Sequence, residues 1–433
     1  MKGRCIRMDP FLYQTYLDIL KEELVPAMGC TEPIAVAYAA AIARETLGVL
    51  PDRIVLTVSG NILKNVKSVI VPNTGGRKGI RTAAAAGVCF GIAEKELEVI
   101  SESTEEQLKA MDDYLERTEI TVLDSDSPCP FDLHVKVFSG EDTAYVRIIG
   151  HHTNVVCIRR GDEVLLEKPF DENANTQAPE NRSLMSIETI VEFAKTCDLD
   201  DVRDILKRQI DCNVAISKAG LSGDYGAGIG RILLLSYGNS VQNRAKAWAA
   251  AGSDARMSGC EMPVIINSGS GNQGITASLP VIVYAAECNV SDDLLYRALL
   301  ISNLVTIHLK TGIGSLSAYC GATSAGAGAG AGICYLYGGD YPEIAHTIVN
   351  ALAINSGMIC DGAKPSCAAK IASAVEAGLL GMQMNKHDSQ FYGGDGIVVQ
   401  GVENTIRVVS TIARDGMRDT DREVIRLMIE NDR

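Results

Sequence analysis

The sequence predicts an α+β fold in which a mostly helical domain, built from both ends of the chain, carries an inserted α+β module. Helical periodicity occupies residues 11–47 and returns from residue 183 to the end, where glycine-rich loops interrupt it. Short β-branched segments separated by turn residues dominate from about residue 51 to residue 168. These patterns divide the chain into a helical domain of residues 1–48 and 183–433, an α+β module of residues 49–170 and a polar linker of residues 171–182.

Two helices separated by a short loop are expected at the N-terminus. Leucine or tyrosine recurs at every fourth position from Leu12 to Leu24, which predicts an amphipathic helix that ends before Pro26. Thr31-Glu32-Pro33 combines a hydroxyl cap, an acid and a proline, which is typical of a helix start, and this second helix should end at Gly48. Cys30 would then lie just outside a helix N-terminus.

The middle of the chain alternates strands with two helices. Helical patterns are expected near residues 80–92 and 104–117. Short β-branched segments are expected as strands, most of them in hairpins: Ile54–Val58, Glu119–Leu123, His134–Phe138, Tyr145–Ile149, Val155–Ile158 and Glu163–Leu166. From Ser183 onward the pattern is helical nearly throughout.

Composition excludes several classes of function. The 433 residues carry a net charge of −14, which argues against nucleic acid or an anionic membrane as the main partner. The longest uncharged stretch, Thr311–Gly339, is rich in glycine and alanine, so we expect tight helix packing there and no membrane span. The 13 cysteines show no dense spacing, and the start of the chain shows no apolar signal region. A cytoplasmic protein with a few working thiols fits better than a secreted disulfide scaffold.

One glycine motif resembles a dinucleotide-binding fingerprint. Gly269, Gly271 and Gly274, in the string Gly-Ser-Gly-Asn-Gln-Gly, give G-x-G-x-x-G after the apolar run Val264–Ile266. A dinucleotide fold also needs a βαβ unit, yet the next segment is helical in pattern and Pro280 should interrupt the helix. Close backbone packing or a small-anion loop is therefore the preferred interpretation.

Three late cysteines lie beside glycine or proline and are expected on turns: Cys320, Cys360 and Cys367. Zinc would need four close nitrogen or sulfur ligands, usually with C-x₂₋₄-C spacing, which is absent. Three thiolates suit a cubane [4Fe–4S] cluster in which one iron lacks a protein ligand and can act as a Lewis acid. Buried inert thiols fit the same pattern, so both interpretations stay open at this point.

Four longer strings carry a resemblance to a known family: Gly29–Ile34, Asp254–Met257, Asn267–Thr276 and Met358–Cys367. On these strings, and nearly end to end, the chain resembles the L-cysteine desulfidase family, which is related to the α chain of iron–sulfur L-serine dehydratases. The resemblance implies a [4Fe–4S] enzyme that splits L-cysteine into pyruvate, ammonia and hydrogen sulfide without pyridoxal phosphate. It implies a general base at Cys30 and three cluster ligands: Cys320, Cys360 and Cys367.

The chemistry agrees with these implied roles. A thiol at a helix N-terminus is expected to shift toward thiolate, as a base at Cys30 requires. Iron without a protein ligand would bind the substrate sulfur while the base removes the Cα proton. At most one of His151 and His152 can face the site, because neighbours on a strand point to opposite faces. Six residues in motif-like segments are candidates for binding the substrate: Asn61, Asn65, His152, Ser268, Asn272 and Lys364.

Alternatives remain for the activity and the assembly. The same cluster could act on L-serine or another β-substituted amino acid, and a non-catalytic small-ligand-binding protein would tolerate loss of the three late cysteines. Zinc or pyridoxal phosphate chemistry has the weakest support. No cysteine follows Cys367, which favours an iron left open to substrate. The expected partner is a small amino acid, with no nucleic acid and no membrane, and the alanine-rich helices are compatible with a homodimer.

Overall fold

The structure is a computed structural model that describes residues 8–125, 127–170, 180–314 and 316–430. Helices account for 60% of the residues and strands for 12%, so the α+β, mostly helical fold class is confirmed. Most of the expected linker, residues 171–179, lies outside the described residues. No helix in the described part of the chain is long and apolar enough to cross a bilayer.

The first half of the chain contains helices and all but one of the described strands. Its helices are α1 Pro10–Glu23, α2 Thr31–Leu47, α3 Gly60–Val66, α4 Ile80–Phe90 and α5 Glu105–Arg117. Its strands are β1 Pro26–Met28, β2 Arg53–Val58, β3 Glu119–Asp124, β4 Asp132–Ser139, β5 Asp142–Ile149, β6 Val155–Arg160 and β7 Glu163–Glu167. Every expected strand is present with its ends shifted by no more than three residues.

The second half is helical apart from the short strand β8, Pro263–Ile265. Its first helices are α6 Ile187–Thr196, α7 Arg203–Ser222, α8 Ile229–Tyr237, α9 Val241–Met257 and α10 Gly271–Glu287. The remaining helices are α11 Asp292–Ile313, α12 Gly321–Leu336, α13 Tyr341–Ile354, α14 Cys367–Lys386, α15 Val402–Thr411 and α16 Arg418–Glu430.

Six strands form one sheet in the order β3-β2-β4-β5-β6-β7. Only β2 and β3 run parallel, and the long connection that such a pair needs contains α3, α4 and α5. The other neighbours are antiparallel, as expected for hairpins. The N-terminal segment joins this sheet to the helical part, because α2 packs on β4 and β5 while β1 pairs with β8.

Helix α12 lies at the centre of the helical part and packs against α10, α11, α13 and α14. Its glycines allow the backbones of neighbouring helices to approach closely. A Cβ atom at Gly326 would lie 2.2 Å from the carbonyl oxygen of Ala374 in α14, and one at Gly332 would lie 2.7 Å from that of Ala298 in α11. The glycine- and alanine-rich stretch is therefore a packing surface, as expected from the sequence.

Replacement of Gly378 by alanine should destabilise the protein. The added Cβ would lie 2.1 Å from the carbonyl oxygen of Gly326, so α12 and α14 must move apart. We expect the free energy of unfolding to fall by about 1–3 kcal/mol, measured by chemical denaturation. The control is Gly416→Ala, where the nearest atom is 3.9 Å away. Equal stabilities of the two variants would contradict the role assigned to this contact.

Two local expectations are wrong. Thr31 does not cap α2: Cys30 occupies the cap position without a side-chain cap bond, and the Thr31 hydroxyl donates instead to the carbonyl of Gly269 at 2.9 Å. Pro280 does not interrupt α10, which continues from Gly271 to Glu287. Most of α10 is buried, and its packing outweighs the loss of one backbone hydrogen bond.

Candidate functional site

Cys320 and Cys360 are brought together by two antiparallel stretches of backbone. The N–H group of Cys320 donates to the carbonyl of Met358 at 3.0 Å, and that of Cys360 donates to the carbonyl of Ala318 at 2.6 Å. Cys320 also occupies the cap position of α12. The expectation that these two thiols lie outside regular helix faces therefore agrees with the structure.

Cys367 lies near these two cysteines as the first residue of α14, so the expected position on a turn is wrong for this residue. Lys370, about one turn beyond Cys367 on α14, donates to the carbonyl of Ile359 beside Cys360 at 2.7 Å, which places Cys367 close to the other two thiols. Burial raises the pKa of Cys320 to about 12 and also raises the pKa of Cys367, and a charge on Cys360 would raise both further. Without a bound metal, Cys320 and Cys367 are therefore neutral thiols at ordinary pH.

Three lysines surround these thiols. Lys370 donates to the carbonyl of Ile359 at 2.7 Å, and both Lys370 and Lys364 pair with Asp361. Lys310 is only 8% exposed and donates to the carbonyl of Gly314; no carboxylate in the described residues lies within ion-pair distance of it. Burial lowers the pKa of Lys310 to about 8, and charges on Cys360 and Cys320 would raise it.

Cys30 forms a buried hydrogen-bonded pair with Glu32. Its side chain is 3% exposed, and its S–H group donates to Oε2 of Glu32 at 2.9 Å. Burial, followed by the negative charge of Glu32, raises the pKa of Cys30 well above its ordinary value. The expected shift toward thiolate is therefore wrong for the protein alone, because burial and the adjacent carboxylate outweigh the helix N-terminus.

Glu32 is held as a carboxylate by its neighbours. Asn65 Nδ2 donates to Oε1 at 3.0 Å, and His152 Nε2 lies 3.9 Å from the same oxygen, too far for a direct hydrogen bond. Burial opposes ionisation, but the His152 ring and the Cys30 hydrogen bond outweigh it and lower the pKa of Glu32 to about 2. In the sequence Glu32 is a helix-start signal, and its position two residues after Cys30 is the signal that could have indicated a partner for the thiol.

Cys30 and one of the three late cysteines, Cys367, meet at one buried cluster of side chains. Cys30, Val69 and Met257 form this cluster, and Ala363 and Cys367 pack against it. The proposed base and one proposed metal ligand, which stand at opposite ends of the sequence, therefore line the same small region. This juxtaposition could not be derived from spacing, because it depends on the packing of segments that are far apart in the sequence.

The loop before α10 borders this region. The ring of His152 lies against Gly269, where a Cβ atom would be 3.2 Å from Cε1. Asn272 Nδ2 contacts Met257 Sδ at 3.7 Å, and the hydroxyl of Ser268 donates to Asn267 at 2.9 Å. Several buried atoms in this neighbourhood have no hydrogen-bond partner: Asn61 Oδ1, His152 Nε2, Arg256 Nε, Asn272 Oδ1 and Gln273 Oε1.

The structure thus brings together most of the expected site residues. Asn61 and Asn65 lie one turn apart on α3, and His152 and Asn272 lie near the cluster that contains Cys30. Lys364 is engaged by Asp361 beside the late cysteines and has no contact with the Cys30–Glu32 pair. Arg256 was missed as a functional residue, although it stands inside the Asp254–Met257 string.

The glycine motif has no dinucleotide-binding context. Strand β8 precedes it and α10 follows it, but β8 pairs antiparallel with β1 in a two-stranded sheet. In the part of the chain that the structure describes, no βαβ unit therefore includes this motif. The preference for an anion loop or close packing is consistent with this arrangement.

Comparison with known proteins identifies the family. The profile of the serine dehydratase alpha chain family matches residues 94–426. The chain belongs to the serine dehydratase alpha chain family. A UPF0597 protein of Desulfitobacterium hafniense is 57% identical over 96% of this chain and 97% of its own length. UPF0597 proteins of Treponema denticola and Finegoldia magna are 45% and 48% identical, over 98% and 96% of this chain and 100% of their own lengths.

Membership of the serine dehydratase alpha chain family indicates a dehydratase-like lyase. The matched range contains the three late cysteines, Arg256 and His152, whereas Cys30 and Glu32 precede it. The UPF0597 relatives are similar to nearly the whole chain, so their likeness extends over the N-terminal half of the site as well.

Proposed function

We propose that the protein is a [4Fe–4S]-dependent L-cysteine desulfidase, a lyase that converts L-cysteine to pyruvate, ammonia and hydrogen sulfide. The observation that carries the proposal is the packing of Cys367 against the buried cluster that contains Cys30. A lyase of this kind needs a base and a group that activates the β-substituent on either side of one small substrate. The packing of Cys367 against the cluster that contains Cys30 supports such an arrangement.

The donor set fits the cluster. The thiols of Cys320, Cys360 and Cys367 lie near one another, and a three-thiolate cluster carries net negative charge. Lys310 is a buried cation without a carboxylate partner among the described residues, and the two nearest thiols would supply its missing counter-charge once they are thiolates. No group of three His, Cys, Asp or Glu side chains in the described residues could hold a single metal ion, but a cubane separates its ligands more widely. When bound, such a cluster supplies a Lewis-acidic iron for the substrate sulfur.

The Cys30–Glu32 pair performs the proton chemistry. At rest the pair holds one proton on sulfur, and the carboxylate oxygen 2.9 Å away can accept it. Because the pKa of Cys30 is raised and that of Glu32 is lowered, this transfer is unfavourable in the resting protein, so the thiolate that removes the Cα proton forms only transiently. The net charge of the pair stays the same during the transfer. The positive charge of Arg256 lowers the pKa of Cys30 and so favours the thiolate.

The elimination then completes without further protein chemistry. The Cα–H electron pair forms the Cα–Cβ double bond as the Cβ–S bond breaks, which releases sulfide and leaves aminoacrylate. Aminoacrylate becomes an imine and hydrolyses to pyruvate and ammonia. We propose that six residues position the substrate or the proton-transfer pair: Asn61, Asn65, His152, Ser268, Asn272 and Lys364.

The proposal also includes the organisation of the protein. We propose that residues 1–48 and 183–433 form the catalytic domain and residues 49–170 an inserted module. A reducing cytoplasm is the compartment that suits four working thiols, and a homodimer is the proposed assembly.

The test measures the iron content, the acid-labile sulfide content and the turnover rate of protein that has been purified and reconstituted without oxygen. We expect about four iron and four sulfide per chain, and sulfide release from L-cysteine. Cys360→Ala should lose iron and activity together, whereas Cys212→Ala, which changes a half-buried thiol on α7, should keep both. Absence of iron after reconstitution would overturn the cluster. Pyruvate from L-serine without sulfide from L-cysteine would assign the protein to the serine-type reaction.

A further inference from the structure

Arg256 is a buried cation that has no partner among the described residues. It lies in the last turn of α9 and is 2% exposed. Among the described residues, no carboxylate lies within ion-pair distance of it and no acceptor takes a hydrogen bond from its guanidinium; its buried Nε is unpaired. Burial of an unpaired charge is costly, so the position indicates an anion that arrives from outside the chain.

The N-terminus of α10 offers donors to the same anion. This 17-residue helix has Ser270 at its cap position, and no side chain caps it. The N–H groups of its first three residues, Gly271 to Gln273, have no acceptor in the described part of the chain. Free N–H groups and the helix dipole favour a negative charge at this end.

Arg256 and the helix N-terminus face each other directly. A Cβ atom at Gly271 would lie 2.3 Å from Arg256 Nε and 2.6 Å from Val264, so only glycine allows the guanidinium to lie over the first residue of α10. The amide of Asn272, whose Oδ1 is also unpaired, lies beside Met257 in the cluster that contains Cys30. The guanidinium of Arg256 and the free N–H groups of α10 therefore lie next to the Cys30–Glu32 pair.

We propose that Arg256 and the uncapped N-terminus of α10 form the subsite for the α-carboxylate of an amino-acid substrate. The inference rests on the proposed function and names the part of the substrate that the site requires. A planar guanidinium binds a carboxylate through two parallel hydrogen bonds, which fixes its orientation as well as its position. Held in this way, the adjoining Cα–H bond is directed toward Cys30. The site accepts free amino acids and rejects their esters and the corresponding amines.

The test compares L-cysteine with L-cysteine methyl ester and cysteamine on the reconstituted protein. Wild-type kcat/KM should favour L-cysteine over the ester by about tenfold to a hundredfold, the range expected for hydrogen bonds to a charged group. Arg256→Met should abolish this preference without lowering the iron content. Its kcat should fall for acid and ester alike, because Arg256 also favours the Cys30 thiolate, so the ratio of the two kcat/KM values reports on the subsite. Arg256→Lys keeps the charge but loses the two-pronged geometry, so its preference should be intermediate.

Two further measurements keep the test decisive. Gly271→Ala retains Arg256 but places a methyl group against it, so it should reduce the same preference. This variant takes the place of Arg256→Met if Arg256→Met does not fold. If wild-type protein releases no sulfide from L-cysteine, calorimetric binding of L-serine against L-serine methyl ester tests the subsite separately from the proposed function. Equal handling of acid and ester by wild type, or an unchanged preference in both Arg256→Met and Gly271→Ala, would overturn the inference.

Discussion

Replacement of Cys30 by serine is expected to lower kcat for sulfide release by about two to four orders of magnitude while the iron content stays unchanged. A serine hydroxyl is far less acidic than a thiol, and it would occupy the same buried cap position beside Glu32 without becoming a useful base. Cys30 is not among the proposed ligands, so the iron content should report on folding and cluster assembly alone.

The matched control is Cys212→Ser, which removes a half-buried thiol on α7 and should leave kcat unchanged. Retention of more than about a tenth of the wild-type kcat by Cys30→Ser would show that another group removes the Cα proton, since a general base contributes at least about a hundredfold. Loss of iron in this variant would instead place Cys30 among the cluster ligands.

Replacement of Glu32 by glutamine is expected to slow turnover by about two to three orders of magnitude and, at the same time, to make Cys30 more acidic. An amide cannot accept the proton of the thiol, which explains the slower turnover. Because the charge of Glu32 raises the pKa of Cys30, its removal lowers that pKa, and alkylation of Cys30 by iodoacetamide should become faster. A merely structural role for Glu32 would not produce opposite changes in these two rates.

The same variant has a defined effect on stability. Folding lowers the pKa of Glu32 from 4.5 to about 2, so the carboxylate contributes stability that is fully present above pH 4.5 and is lost as the pH falls toward 2. The difference in unfolding free energy between wild type and Glu32→Gln should follow that course in denaturation experiments. Glu45→Gln, an exposed change on the same helix, should show no such pH dependence, and a difference independent of pH would contradict the assigned pKa.

Local sequence patterns predicted the secondary structure and the close helix packing, which depend mainly on residues close together in the sequence. Short β-branched segments between turn residues located the strands, period-four apolar spacing located α1, and the string after Cys30 located the start of α2. Glycine and alanine between Gly321 and Gly332 correctly indicated close helix packing. These features are set by backbone geometry within a few residues, which is why single-sequence reasoning reached them.

The electrostatics of the site could not be predicted in the same way. The neighbours that bury Cys30 include Val69 and Met257, which lie far from it in the sequence, and their packing reverses the expected direction of its pKa shift. The unpaired state of Arg256 likewise appears only when every surrounding element is in place. Sequence motifs pointed to the residues of the site, whereas the protonation states and hydrogen-bond partners of those residues depend on the folded structure.

The pairing of β1 with β8 has a consequence for synthesis on the ribosome. Met28 and Pro263 are partners in this short sheet, so the segment just before Cys30 must wait for most of the protein to be made before its strand can form. Contacts of such sequence separation form slowly, because a long loop must close before any stabilisation is gained. Cys30, made near the beginning, therefore cannot be covered by Met257 until more than half of the chain has been translated. The nascent chain thus lacks part of the cover of this thiol through the first half of its elongation, and a product truncated before Met257 would lack it permanently.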